Sequence, residues 1–185
     1  MRSLLWSSMI VLVLASAACS TEPTGGGGRG PDLGPDLGAD PLAPNAEVER
    51  VVDGDTIIVH IGGARERVRL IGIDTPESVD ENRPEQCYGH EASAYLESLI
   101  PAGTEITLIR DEEARDRFDR LLAYVVRSSD GLFVNLDLVT NGYAGPFTYP
   151  PNVQYADLLE SAAATAEAGG VGLWGACGGP DVPLG

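Results

Sequence analysis

The sequence predicts an α+β fold of five short strands and three helices. Two patterns carry this. Segments of five to eight residues, rich in β-branched side chains and separated by Gly or Asp-Gly turns, fall into two groups, and three segments with apolar residues at helical spacing separate or follow them. A third observation sets the limits of the domain. Residues 19–45 are dominated by Gly and Pro, with Gly25-Gly26-Gly27-Gly28 and the repeat PDLGPDLG at 31–38, and show no apolar periodicity. Such a stretch reads as a flexible linker, so the core begins near residue 46.

Val48–Val52 reads as the first strand and Asp53-Gly54-Asp55 as the turn after it, because Asp-Gly is a strong hairpin signal. Thr56–Ile61 is the second strand, and Gly62-Gly63 turns the chain into a third, Glu66–Ile73, where Arg67 and Arg69 alternate with Val68 and Leu70. After Pro76 the character is loop, including Asn82-Arg83-Pro84. Glu91–Ile100 is a helix with Ala92, Tyr95, Leu96 and Leu99 on one face, stopped by Pro101-Ala102-Gly103. Glu105–Ile109 is the fourth strand; the charged segment Arg110–Asp119 leads into the fifth, Arg120–Val126. Asn135–Asn141 is a short helix ended by Gly142, Phe147–Pro151 an aromatic loop, and Val153–Ala168 the last helix. This order is compatible with a small five-stranded barrel of the OB-fold kind, capped by helices. The folded domain is expected over 46–178, with 179–185 a disordered tail.

The N-terminus reads as a targeting segment: Met1-Arg2, an apolar run from Leu4 to Ala15, then Ala15-Ser16-Ala17-Ala18-Cys19-Ser20. The expected signal peptide is 1–18. Its end resembles a bacterial lipoprotein signal, which would make Cys19 a lipidated terminus and residues 20–45 a tether; plain cleavage and release is the alternative. The chain is thus expected to be exported, either anchored to the cell envelope by lipid, with Ser20 leaning to the outer membrane, or secreted. Of three cysteines, Cys87 and Cys177 remain as a pair, bridged or as two thiols, in a compartment where disulfides persist.

The net charge is −16 and every basic residue is Arg. That acidity argues against a general nucleic-acid binder and favours a site for a hard cation. Three acidic clusters stand out: Asp53-Gly54-Asp55, the run Arg69-Leu70-Ile71-Gly72-Ile73-Asp74-Thr75-Pro76-Glu77, and Asp116-Arg117-Phe118-Asp119-Arg120. Each alone is better explained as a turn or a solvated loop. His60 and His90 have no nucleophile or ligand partner at informative spacing and read as structural, and a zinc site is not supported by so few Cys and His.

Taken in order, VVDGDT, RLIGIDTPE, CYGHEASAYL, DRFDRLLAYV and a helix before Leu173-Trp174 closely resemble the thermonuclease family of staphylococcal-type nucleases over residues 47–175. The resemblance implies a five-stranded OB-like barrel with three helices, and hydrolysis of DNA and RNA, single strands favoured, with Ca²⁺ as cofactor. It assigns Asp55, Asp74 and the Thr75 carbonyl to the metal, Asp53 to a supporting position, Arg69 and Arg120 to the scissile phosphate, and Glu77 to the attacking water. Phe147 and Tyr149 align with a loop that stacks on nucleotides, although rings there also suit packing.

Two departures stand in the third cluster. Phe118 replaces the family's usual Tyr, and Asp119 stands where Gly is common, beside Arg120. The expected consequence of the acidity is modest activity at low ionic strength or adaptation to cation-rich conditions. The alternative to an enzyme is a catalytically weak or silent OB-type module that binds nucleic acid or protein at the envelope. No protein partner is implied, and a monomer is the default.

Overall fold

The computed structural model describes residues 43–78 and 85–184. The expected signal peptide, Cys19, the linker up to residue 42 and Asn82-Arg83-Pro84 lie outside the described residues. Among the described residues no helix is long and apolar enough to cross a membrane.

Five strands close a barrel: β1 (Ala46–Asp53), β2 (Thr56–Ile61), β3 (Ala64–Leu70), β5 (Glu105–Ile109) and β6 (Leu121–Arg127). β1 pairs with β2 and β2 with β3 as antiparallel neighbours, with Thr56 opposite Arg69. β3 then runs parallel to β6, β6 pairs antiparallel with β5, and β5 returns to β1. Closure leaves the barrel no open edge. Val48, Ile57, Val59, Val68, Leu70 and Ile106 are buried in its core. Irregular register in β1, between Val48 and Arg50 and again between Val51 and Asp53, accompanies the bend toward the Asp53–Asp55 turn.

Helices α1 (Gly89–Leu99), α2 (Val134–Thr140) and α3 (Ala156–Ala168) pack on this barrel, burying Leu96, Leu138 and Leu159. β6 is buried along Leu122–Val126, the pattern of a strand covered on both faces. A two-residue strand β7 (Leu132–Phe133) and a single turn, α4 (Leu173–Ala176), complete the set, and neither is evident from the sequence.

The expected third strand is cut in two. At Ile71 the chain leaves the barrel, and β4 (Gly72–Asp74) pairs instead with β8 (Gly145–Phe147) in a separate two-stranded sheet. Gly72 makes the departure possible: its φ is 78°, and a Cβ there would sit 2.6 Å from Leu159. The buried Asn135 fixes the break, donating to the Ile71 carbonyl and accepting from the Val125 amide, both at 2.9 Å. The last helix starts at Ala156 rather than Val153.

Hydrogen bonds to the barrel and to the segment before α1 extend past both expected ends of the domain. Residues 43–45 belong to the fold, because the Asn45 side chain donates to the Leu108 carbonyl (3.0 Å) and accepts from its amide (2.8 Å). The segment after 178, expected as a disordered tail, runs back along 85–87: the Cys87 amide donates to the Val182 carbonyl at 2.7 Å and the Leu184 amide to the Glu85 carbonyl at 2.9 Å. A disulfide between Cys87 and Cys177 anchors that return.

Candidate active site

A groove of about 960 Å³ opens where the β1–β2 turn, β4, the loop before β6 and the loop after β8 meet. It is lined by every expected site residue: Asp53, Asp55, Arg69, Asp74, Thr75, Glu77, Arg120, Phe147 and Tyr149.

The turn is built to bring its acids inward. Gly54 packs so close to Thr75 that a Cβ would fall 2.6 Å from Thr75 Oγ1. Asp53 Oδ1 accepts the Asp55 amide at 3.1 Å, shaping the bend. Asp55 is 7% exposed and fully engaged: Oδ1 accepts from Thr56 Oγ1, and Oδ2 accepts from the Thr75 amide (3.2 Å) and hydroxyl (3.1 Å). Burial, followed by the negative charge of Asp55, pushes the Asp53 carboxyl up to about 6.

Arg69, near the end of β3, ion-pairs with two acids of this cluster. Nη1 lies 2.9 Å from Asp55 Oδ2 and Nη2 lies 2.6 Å from Asp74 Oδ1. Nη1 also donates to the Leu70 and Ile73 carbonyls at 2.7 and 3.1 Å. Glu77 follows Thr75-Pro76; its Oε1 accepts from the Ser78 amide, and its own amide donates to Gln86 Oε1 at 2.6 Å.

Among the described residues no three of His, Cys, Asp and Glu are arranged to hold a metal ion. What the structure does bring together is Asp55 and Asp74 on one guanidinium, that of Arg69. With Thr75 hydrogen bonded to Asp55, the donor set is all oxygen and carries two charges, which fits Ca²⁺ completed by water or phosphate oxygens.

Arg120 forms the opposite wall. Its Nε donates to Asp116 Oδ2 at 2.7 Å while its amide donates to Asp116 Oδ1 at 2.9 Å. Burial works against ionisation of Asp116, but the hydrogen bonds from Arg120 and Phe118, with Arg120's charge, hold it below the usual carboxylate range. The terminal nitrogens of Arg120 have no hydrogen-bond partner among the described residues. Asp119 takes the left-handed conformation, φ 62°, which Asp tolerates. Its exposed carboxylate points to Arg115, 3.5 Å away, rather than to Arg120. Phe118 is 65% exposed, with the Arg117 guanidinium 4.6 Å from its ring.

Phe147 and Tyr149 are exposed on the rim, not packed in the core, with rings nearly parallel and 6.4 Å apart. Pairing of Gly72 with Phe147 sets them beside the strand that carries Asp74. Asn152 holds their loop to the other wall, donating to and accepting from the Glu113 backbone. His60 and His90 lie outside the groove, exposed and near Glu49 and Glu85.

Sequence reasoning missed three supporting residues. Asp116 was visible only as a member of the third acidic cluster, with no role assigned to it. Asn135 showed only as a polar residue among apolar ones, and Gln86 gave no signal at all.

Comparison with known proteins places this geometry. The model of the staphylococcal nuclease homologue family matches residues 67–176. The thermonuclease of Staphylococcus intermedius is 42% identical over 127 residues, 69% of this chain and 74% of that protein. The thermonuclease of Staphylococcus hyicus is 38% identical over 128 residues, with the same coverage of both chains. Endonuclease YncB of Bacillus subtilis is 33% identical over 135 residues, 72% of this chain and 63% of that protein. With a family model that covers more than half of the chain and this level of identity, the chain belongs to the staphylococcal nuclease homologue family.

Proposed function

We propose that the chain is a Ca²⁺-dependent nuclease that hydrolyses phosphodiester bonds of DNA and RNA with little sequence preference, single strands first. The observation that carries this is the meeting in one groove of two arginines, on opposite walls, with Asp55, Asp74, Thr75 and Glu77. Hydrolysis concentrates negative charge on the phosphoryl oxygens, and planar guanidiniums answer that charge with paired hydrogen bonds. Arg120 is suited to this role because Asp116 occupies its Nε and fixes the plane of the group. Arg69 comes from the other side, sharing its guanidinium between phosphate and the carboxylates that now hold it. Glu77 orients the attacking water or takes its proton. Ca²⁺, when bound, would supply further charge neutralisation at the phosphate. Phe147 and Tyr149 offer exposed rings for base stacking, which tolerates any base.

The groove is itself acidic, since Arg67, Arg69, Arg117 and Arg120 face seven Asp and Glu side chains. A polyanion therefore enters it only when added cations offset those acids.

The test is cleavage of denatured DNA by the chain from Cys19 onward, with Ca²⁺, with Mg²⁺ and with chelator. Cutting should need Ca²⁺ and fall by about 10²-fold or more in Glu77→Gln, the scale of a lost general base. A folded, Ca²⁺-binding protein that cuts at no salt concentration would defeat this reading and leave a silent binding module.

We infer also that residues 1–18 export the chain and that lipid on Cys19 anchors it, outer membrane favoured over release. The Cys87–Cys177 bridge supports an oxidising compartment. Incorporation of labelled fatty acid, lost in Cys19→Ser, is the expected result; a soluble, unlabelled product would favour secretion.

A further inference from the structure

The segment that carries Glu77 is held from one side by Gln86. Gln86 Oε1 accepts the Glu77 amide at 2.6 Å, and the Gln86 amide donates to the Glu77 carbonyl at 2.8 Å. The two residues are thus clasped at both backbone groups of Glu77. Behind them Gly89 packs so tightly that a Cβ would lie 2.6 Å from that same carbonyl oxygen.

Gln86 is in turn held by the C-terminal segment. Its Nε2 donates to Asp181 Oδ1 at 3.2 Å, and its neighbours pair with the Val182 carbonyl and the Leu184 amide. The covalent link on this side is the next residue, Cys87, bridged to Cys177. None of these contacts is close in sequence, so the bridge keeps in register two segments that otherwise meet through a few surface hydrogen bonds.

We propose that Gln86 is a positioning residue for Glu77, and that the Cys87–Cys177 bridge keeps it in place, so that the thiol–disulfide state of the chain sets its cutting rate. The inference rests on the nuclease reading above. Reduction by a dithiol delivers two electrons and two protons: the Sγ–Sγ bond breaks, Cys87 and Cys177 become thiols, and the reductant closes to its own disulfide. The 178–184 segment then loses its anchor, Gln86 loses its backing, and Glu77 is no longer fixed against the substrate. A chain in a reducing compartment cuts slowly and gains full activity on oxidation.

The test uses the chain from Cys19 onward with Cys19→Ser, so that the bridge cysteines are the only two. Three forms are compared on single-stranded DNA with Ca²⁺: oxidised, reduced by dithiothreitol, and Gln86→Ala with the bridge intact. In the latter two, kcat should fall about tenfold, short of the ~100-fold that a displacement of about 1 Å can cause, with KM within about twofold. Amide exchange at Glu77 should quicken in both while the core amides stay protected. A reduced, folded protein that cuts at the oxidised rate overturns the proposal, as does Gln86→Ala with unchanged kcat. Should reduction unfold the domain, Gln86→Ala alone decides. If the oxidised chain does not cut at all, the nuclease reading fails instead. Amide exchange at Glu77 on reduction then still decides whether the bridge holds that residue.

Discussion

The two walls of the groove treat their acids in opposite ways. On the inner wall, burial and the charge of Asp55 raise Asp53 to about 6, and Arg69 ion-pairs with both Asp55 and Asp74. On the outer wall, Asp116 also meets burial, yet hydrogen bonds from Arg120 and Phe118 hold its carboxyl below the ordinary range. One acid there has one arginine to itself. Among the described residues Arg69 is therefore divided between two acids, while the outer wall is balanced, with Asp116 and Arg120 paired one to one. A crowded set of carboxylates is the arrangement that a divalent cation relieves, whereas a paired carboxylate and guanidinium is a fixed structural part that presents its unused nitrogens outward.

The largest effect that tests this contrast is Arg69→Ala. Activity should fall by about 10³-fold, the upper end for losing one group that answers transition-state charge. In chelator, stability should fall by about 3 kcal/mol, because Asp55 is left buried without its cation. Urea denaturation checks the second figure. Unchanged stability would mean that Thr56 and Thr75 hold Asp55 without help from its ion pair with Arg69.

Asp116→Asn comes next. The amide keeps an acceptor but loses the charge that orients Arg120, so kcat/KM should drop about tenfold and stability at pH 7 by about 1 kcal/mol. The sign of the pH dependence follows from the depressed carboxyl. Its contribution is complete above the unfolded value near 3.9 and is lost as pH falls through the lower folded value. Wild type and variant should therefore differ at pH 7 and converge only in acid below about pH 4. A gap that closed near pH 6 would contradict the balanced wall.

Asp53→Asn should act in the opposite direction. With its folded pKa raised to about 6, Asp53 keeps a proton that the unfolded chain has already released. Stability must then fall as pH rises from about 4 to about 6. The variant, which keeps an oxygen for the Asp55 amide, should be more stable than wild type above pH 6 in chelator. Discounted for partial exposure, the gain is about 1 kcal/mol, and it should vanish below about pH 4. A less stable variant at pH 7 would show that the turn needs the charge.

The contrast also explains what was legible in the sequence. The barrel strands could be read because each is a short run of β-branched and apolar residues near a Gly or Asp-Gly turn, as in Thr56–Ile61 and Glu105–Ile109, whose limits agree with the structure. Glu66–Ile73 could not be divided correctly, because the alternation continues through Gly72 and nothing local reveals that Leu159, far along the chain, occupies the space beside it. At the site, residue identities in the motifs pointed to the groove, and all of them line it. The residues that hold them did not, since Asn135, Gln86 and Asn152 act on backbone groups at separations that no local pattern marks. The contacts of the last residues are illegible for the same reason: their partners lie about 95 residues earlier, where Gln86 meets Asp181.

The smallest effect belongs to Asp119, and it separates a sequence argument from a structural one. Read along the chain, an acid next to Arg120 should compete with phosphate for that guanidinium. In the fold, the left-handed backbone at φ 62° turns Asp119 away, its carboxylate is 87% exposed, and its near cation is Arg115. Arg115 is already held by both oxygens of Glu66 and by the Asp119 carbonyl. Asp119→Asn keeps a residue that accepts this backbone conformation and removes only the charge. Cutting rate and KM should stay within about twofold of wild type, as for an ordinary surface change. A rise in activity of tenfold at low salt would show that the charge does reach the phosphate site, and the outer wall would then be crowded as well.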